Sequence, residues 1–358
     1  MKKIVIIAGD LSGDLYGGLL SKKIKEKFSN VEIFSLGGIN LARHTKQIFC
    51  LTDYAVSGIF EVTSSLYKLY SIFKDTVAYI NKIKPDLVIP VDFPDFNLRL
   101  IKKLNKKFPV FYYVSPQVWA WRKNRLKLIK KYIDTMVVIF KFEEEFYRSQ
   151  NVNVKYFGHP LLELVTKTNM KPKKIISFMP GSRKNEIKLN LPIIEKTKII
   201  LEKKLPDYSF RIICPQNIPK NFYKKFSTMD VTNHSYQAME ESTFIITSSG
   251  TATVEIALLE VPFIIFYKLR SPTWYILKRL VNTKFIGMVN ILAGRKIIEE
   301  FLQNDAKPLN LANKTIEIIN DNFMYNKIKN ELSKIKDIIS PSGATENFAS
   351  FIGEYLRL

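Results

Sequence analysis

The residues of this chain best placed to do chemistry are carboxylates and glycines at the ends of apolar runs. The run DLVIPVD ends at Asp92, and Pro94 forces a turn directly after it. A carboxylate at the end of a buried strand faces the region beyond the sheet, where it can accept a proton from an attacking hydroxyl. In the same string, PVDFPDFNLRL, Asp95 or Asn97 is placed to cap the following helix, which would account for Asp95 without catalysis. A second loop, AGDLSGDLYGG at residues 8 to 18, has glycines at 9, 13, 17 and 18 that allow tight turns and close approach of backbone to a ligand. It is not a GxGxxG fingerprint, which weighs against a dinucleotide.

Two further loops suit anions. In MPGSRKNEI, Gly181, Ser182 and Arg183 lead from a strand-like run into a helical pattern. Free backbone N–H groups and a guanidinium converge there, a combination matched to a diphosphate. The Walker pattern is absent, which weighs against ATP hydrolysis. In SSGTATVEIALLEVP, Ser249, Gly250 and Thr251 again precede a helical pattern, with Glu255 in its early turns. Glu255 suits ribose hydroxyls, and a capping role with Ser249 or Thr251 fits equally.

The segment YYVSPQVWAWRKNRLKLIKKY places Trp119 and Trp121 around one Ala, with Arg122 and Arg125 following at helical spacing. Such residues stack on bases or sugars, or bind single-stranded nucleic acid. They also describe an aromatic strand end running into a solvated basic helix. His159, in FGHP, is one of three histidines. It has no second ligand at a fitting spacing, so no metal site is expected. The segment NILAGRKIIEEFLQ says little by itself.

Short apolar runs alternate with amphipathic stretches to position these loops. KIVIIAG, VEIFSLGG, DLVIPVD, VFYYVS and TMVVIF read as buried strands, with helical patterns such as LLSKKIKEKF and LRLIKKLNKKF between several of them. A basic stretch with Pro172 breaks the pattern, which restarts at KIISFMPGSR and continues through FRIICP, FIITSSG and FIIFYKL. The expectation is α/β, with two doubly wound units. The first spans residues 1–168 with a C-terminal return at 341–358, and the second spans 169–340. A length of 358 residues agrees with two domains. Ligands bind beyond the carboxyl ends of such strands, so two units suit an enzyme holding two substrates.

Fifty-five Lys and Arg against 33 Asp and Glu give a net charge of +22. Nucleic acid, an anionic membrane surface and phosphorylated substrates would all be attracted, although a Lys-, Ile- and Asn-rich coding bias gives the same excess. Cys50 and Cys214 form no CxxC and read as reduced residues of a cytoplasmic protein. The N-terminal apolar run is too short for a signal peptide and ends at Asp10, so it reads as a first strand. The longest apolar stretch, Phe244 to Phe266, is broken by Glu255 and Glu260, and no transmembrane helix is expected. In VTSSLYKLYSIFKDTVAYI, Val62, Leu66, Leu69, Tyr70 and Phe73 share a helical face, with Lys68 and Lys74 beside it. That face suits either an ordinary core helix or one lying at a membrane interface.

Taken together, AGDLSGD, VDFPDFNLRL, YYVSPQVWAWR, FEEEFY with FGHPL, PGSRKNEI, SGTATVEIAL, NILAGRKIIEEFLQ and the closing PSGAT resemble the lipid-A-disaccharide synthase family nearly end to end. The resemblance implies a GT-B glycosyltransferase, two Rossmann-like domains facing a cleft, working without cofactor or metal. The implied reaction moves 2,3-diacylglucosamine from UDP-2,3-diacylglucosamine to the 6-hydroxyl of 2,3-diacylglucosamine 1-phosphate, with inversion. On the acceptor side it implies roles for Ser12, Gly13, Asp14, Asp95, Asn97, Gln117, Trp119, Arg122 and His159, with Asp92 as the base. On the nucleotide side it implies Gly181, Ser182, Arg183, Ser249, Gly250, Thr251, Glu255 and Asn290.

The implied location is cytoplasmic, peripheral at the anionic inner membrane of a Gram-negative bacterium. A homodimer is left open, and no nucleic acid is expected. Asp10 stands where the family usually has Glu, Gly18 where Ala is common and Lys141 where Pro is common. A single displacement needs one base and no protein nucleophile. It agrees with a chain that has no D-x-D and no arguable Ser–His or Cys–His pair. Another GT-B enzyme with a lipid-linked acceptor is opposed by the PDFN and WAW strings. A nucleic-acid binder is opposed by scattered basic residues and the lack of a recognisable binding motif.

Overall fold

The computed structural model describes residues 1–52, 65–268 and 283–358, and side chains are described for these except at 65–69. The chain divides into two compact units, Met1–Glu163 with Ile339–Leu358, and Leu164–Ile338.

The first unit is built on β1 (Lys2–Ala8), β2 (Val31–Gly37), β3 (Lys46–Cys50), β4 (Leu87–Val91), β5 (Phe111–Tyr113), β6 (Thr135–Val138) and β7 (Val154–Tyr156). These form one seven-stranded sheet in the order β3-β2-β1-β4-β5-β6-β7, every pairing parallel. Central strands of such a sheet are covered on both faces and must be apolar throughout. Ile4 to Ala8 accordingly have no exposure at all. The strand order reverses between β1 and β4, so the loops after them part and leave a crevice at their carboxyl ends.

The helix Leu11–Lys27 leaves β1 directly. The last helix, Ala344–Leu356, returns to it, with Lys27 Nζ reaching Glu346 at 2.5 Å and Ser350 Oγ at 2.7 Å.

The second unit holds β8 (Lys173–Met179), β9 (Ser209–Cys214), β10 (Asp230–Asn233), β11 (Ser242–Ser248), β12 (Phe263–Tyr267) and β13 (Glu300–Leu302). Its six-stranded parallel sheet runs β10-β9-β8-β11-β12-β13, with the same kind of reversal between β8 and β11. Each unit thus opens on a central strand, and its two candidate ligand loops follow the two strands that flank the reversal.

The helix Ser65–Ile83 separates the two readings given to its apolar face. Ile72, Thr76 and Ile80 are buried, and Phe73 packs edge-on against Phe96 with ring centroids 5.6 Å apart. From Ile72 onward this is a core face, which corrects the interfacial expectation for Phe73. Tyr70 is 66% exposed. Val62 lies outside the described residues, as do the side chains of Leu66, Lys68 and Leu69. Among the described residues, no helix is long and apolar enough to cross a membrane.

Candidate active site

Asp92 and Phe93, directly after β4, both have positive φ, 44° and 48°. For residues with a Cβ this left-handed conformation persists only where the surroundings hold it. The Asp92 N–H donates to the Tyr113 carbonyl at 2.9 Å. Its carbonyl accepts from Tyr112 Oη at 2.5 Å and from Asn97 Nδ2 at 2.8 Å. The turn also throws the Phe93 ring across the end of β1. A Cβ on Gly9 would stand 2.1 Å from that ring, so the first loop needs glycine there to admit it.

Asp92 is half-buried and shares a hydrogen bond with Asp10 at the end of β1. Burial pushes its carboxyl well above the usual carboxylate range. The Asp10 charge pushes the same way, the Phe93 N–H opposes, and Glu143 adds a smaller repulsion. Asp10 in turn caps the helix Leu11–Lys27, accepting the Gly13 N–H at 2.6 Å. An anion at a helix N-terminus is favoured, which leaves Asp92 as the member of the pair that takes and gives up a proton. Asp10 was not among the expected site residues. The signal for it was its place, two residues past the end of an apolar strand.

The neighbours of this pair differ in how they are engaged. Ser12 lies half-buried in the first turn of the helix, and Gly13 is buried beside the Val91 carbonyl. Asp14, expected on the substrate side, is 1% exposed and holds the next loop together. Its oxygens accept from Gly38 N, Asn40 N, Asn40 Nδ2 and Leu41 N at 2.6–3.2 Å. Four donors satisfy the buried carboxylate within its own unit.

Asp95 and Asn97 are not the cap of their helix. Pro94 takes the first position of the helix Pro94–Leu104, Phe93 is the N-cap, and no side chain caps it. Asn97 instead turns back to the carbonyls of Val91 and Asp92, with its Oδ1 buried and without a hydrogen bond among the described residues. Asp95 is 63% exposed and is held by Arg122 Nη1 at 2.7 Å and by Arg125. Arg122 also lies over the Trp121 ring, 4.4 Å from its centroid.

In the same segment Gln117 is exposed, while Trp119 donates its indole N–H to Glu143 Oε1 at 3.0 Å. His159 is 1% exposed, and its Nδ1 accepts the Leu161 N–H at 3.1 Å. Burial pushes its imidazole down to about 3, so it is neutral at physiological pH. Its ring packs against Tyr16 and Phe140.

In the second unit, Gly181, Ser182 and Arg183 precede the helix Lys184–Lys204, with Arg183 exposed at the N-cap. Here a carboxylate already stands in the loop. Glu186 accepts the Ser182 N–H at 3.1 Å, and a Cβ on Gly181 would fall 2.3 Å from its Cδ. Burial raises the Glu186 pKa against the pull of the Ser182 N–H and the Arg183 charge.

After β11, Gly250 is open on the side where a Cβ would point, and Ser249 Oγ donates to the Ile286 carbonyl at 3.2 Å. Thr251 is the N-cap of the helix Ala252–Leu258 without a side-chain cap bond, so the expected capping box is not formed. Glu255 instead binds His234 Nε2 at 2.9 Å. Burial disfavours the His234 cation, yet the Glu255 bond and charge leave its pKa raised.

Asn290, expected on the nucleotide side, is engaged within its own unit. Its Nδ2 donates to Ile298 O and Glu300 Oε1, and its Oδ1 accepts from the N–H groups of Ile297 and Ile298, all within 2.7–2.9 Å. No side-chain bonding capacity is left for a nucleotide.

Comparison with known proteins supplies the remaining observations. The sequence model of the family described as lipid-A-disaccharide synthetase matches residues 4–347. The lipid-A-disaccharide synthase of Syntrophus aciditrophicus (strain SB) is 34% identical over 368 residues, covering 97% of this chain and 96% of the relative. Among solved structures, the S. aureus MnaA-UDP co-structure aligns over 100% of this chain and 98% of its own, with a TM-score of 0.69 and 17% identity. The crystal structure of Acinetobacter baumannii MurG aligns over 99% and 100%, with a TM-score of 0.57 and 12% identity. These two likenesses concern the fold, which is α/β of the GT-B class.

Proposed function

The chain belongs to the lipid-A-disaccharide synthetase family, and from that membership we propose that Asp92 is the general base of its glycosyl transfer. The family activity is that of a hexosyltransferase with a UDP-sugar donor and a lipid acceptor. The donor is UDP-2,3-diacylglucosamine and the acceptor 2,3-diacylglucosamine 1-phosphate. The observation that carries this reading is the strained, triply hydrogen-bonded backbone of Asp92 at the strand-order reversal, with its carboxyl pushed by burial above the usual carboxylate range.

Such a carboxylate takes the proton of the acceptor 6-hydroxyl as that oxygen attacks the anomeric carbon. The sugar–phosphate bond breaks on the opposite side, the configuration inverts, and UDP leaves carrying the bonding pair. Negative charge grows on the diphosphate during this step. Arg183 and the N–H groups at the start of Lys184–Lys204 supply donors and positive charge to meet it. Glu255, oriented by His234, is the acceptor for ribose hydroxyls. Asp95 is already engaged by two guanidiniums.

The enzyme works peripherally on an anionic membrane surface. Exposed Arg99, Lys102 and Lys103 on one helix, with Lys127, Lys130 and Lys131 on another, support that reading. The direct test is to incubate the protein with both acylated substrates and follow UDP release and disaccharide formation. Release that depends on the acceptor is expected. Release without acceptor, or none with both present, would refute the assignment.

A further inference from the structure

The loop that would hold the diphosphate is already occupied by an acid of its own helix. Glu186 stands at the third position of the helix Lys184–Lys204, half-buried, and its Oε2 accepts the Ser182 N–H at 3.1 Å. It also shares a hydrogen bond with Ser248, the last residue of β11. The carboxyl therefore lies where the strand order reverses between β8 and β11, the crevice in which a doubly wound unit takes its ligand. Gly181 makes room for it. A Cβ there would stand 2.3 Å from Glu186 Cδ, and its φ of 123° is one that side chains rarely adopt. A glutamate at this helix position is an ordinary cap, and glutamine caps in the same way. The helix dipole favours an acid anywhere in the first turn. Neither calls for a glycine kept clear beneath the carboxyl, or for a tie to the neighbouring strand.

We propose that Glu186 is a specificity-determining residue of the donor site: its carboxylate occupies the Ser182 N–H in place of a phosphate group, so that a diphosphate must displace it. The inference rests on the reading of the Gly181–Arg183 loop as the diphosphate site. Both anions need the same donor, and each repels the other, so the carboxylate limits how tightly a nucleotide is held. That limit grows with the charge on the phosphate. Free UDP has a second ionisation on its outer phosphate, at about 6, which the sugar ester lacks. Glu186 therefore weighs more against the departing UDP than against the incoming donor, which favours product release after transfer.

The test is calorimetric binding of UDP and of uridine to wild type and to Glu186→Gln. Glutamine keeps an acceptor for the Ser182 N–H but removes the charge. UDP should bind the variant about three- to tenfold more tightly. Uridine, which has no phosphate, should bind both proteins alike. Unchanged or weaker UDP binding, or an equal shift for both ligands, would overturn the proposal and leave Glu186 a helix cap. Should the variant not fold, a crystal structure of the wild type with UDP decides. A phosphate oxygen on the Ser182 N–H, with the carboxyl moved off it, is the expected result; a carboxyl still bound to Ser182 overturns the proposal. Arg183→Ala run alongside separates the two readings. If it binds UDP as wild type does, the diphosphate assignment itself fails; if it weakens UDP while Glu186→Gln does not tighten it, only this inference fails.

Discussion

At Asp92 the first unit sets a carboxyl against another carboxyl, whereas at Glu186 and Glu300 the second unit sets carboxylates against backbone N–H groups. Asp92 meets Asp10 and feels Glu143, and its proton is held tightly. Glu186 accepts from Ser182, and Glu300 accepts from the N–H groups of Ile286 and Gly287 at 2.9 and 3.0 Å. Both units use the same strand–loop–helix device, but in the first the raised carboxyl lies against a second carboxyl, whereas in the second the raised Glu186 is engaged by the Ser182 N–H beside the Arg183 charge. The second stores positive potential at helix starts, covered by its own acids. The proposed function gives proton transfer to one unit and charge binding to the other, and each substitution below either widens or removes that contrast.

The largest effect should come from Asp92→Asn. Loss of the base should lower turnover by about 10²–10⁴ while UDP affinity stays nearly intact. The same substitution should also stabilise the protein at alkaline pH. A carboxyl whose folded pKa lies above its ordinary value binds its proton more tightly when folded. Stability is therefore lost as pH rises from the unfolded value toward the folded one, and the asparagine variant escapes that loss. Melting curves at pH 5 and pH 8 check the sign. The variant should exceed wild type by more at pH 8, and a wild type that gains on the variant between those values would break the contrast.

Next in size is Arg183→Ala in the second unit. A charge-assisted contact to a diphosphate is worth about 1.5–3 kcal/mol, so UDP affinity measured by calorimetry should fall by about one to two orders of magnitude. Turnover should fall with it. A variant that binds UDP as wild type does would move diphosphate recognition to the Ser249–Thr251 loop.

The sequence made the interior of both sheets legible and their rims obscure. β1, β2, β4, β5, β6, β8, β9, β11 and β12 all announce themselves as apolar runs, because each is covered on both faces. β3, β7, β10 and β13 were not read as strands, and they are the four edges. Edge strands are short and can be polar, so KQIFC, VKY, DVTN and EFL carry little signal. The site shows a similar division. Asp92 was legible because it ends a central strand. Asp14 and Asn290 were carried over by resemblance alone, and their donors and acceptors come from residues 7 to 27 positions away. Spacing along the chain does not reveal whether such a side chain faces a ligand or a backbone. The Asp10–Asp92 and Glu143–Trp119 contacts depend on loops meeting across the sheet, which no local pattern encodes.

The smallest effect should come from Asp95→Asn, and it bears most directly on the choice of base. Asp95 lies three residues from Asp92 in a string where either acid could serve. Its surroundings are opposite in kind: it is mostly exposed and bound by the guanidiniums of Arg122 and Arg125. Its carboxylate is already engaged by both guanidiniums, so accepting a substrate proton would disrupt those contacts. An exposed ion pair contributes no more than about 1 kcal/mol to stability. Its removal should therefore cost little in melting temperature and less than about fivefold in turnover. Some loss is expected, because the pair tethers the segment that carries Gln117 and Trp119 to the helix holding Asn97. Steady-state kinetics on the two single variants decide the matter. A hundredfold drop for Asp95→Asn with a mild Asp92→Asn would transfer the base to Asp95 and undo the contrast between the units. The opposite order leaves Asp92 as the one acid in the crevice whose environment is built for proton transfer.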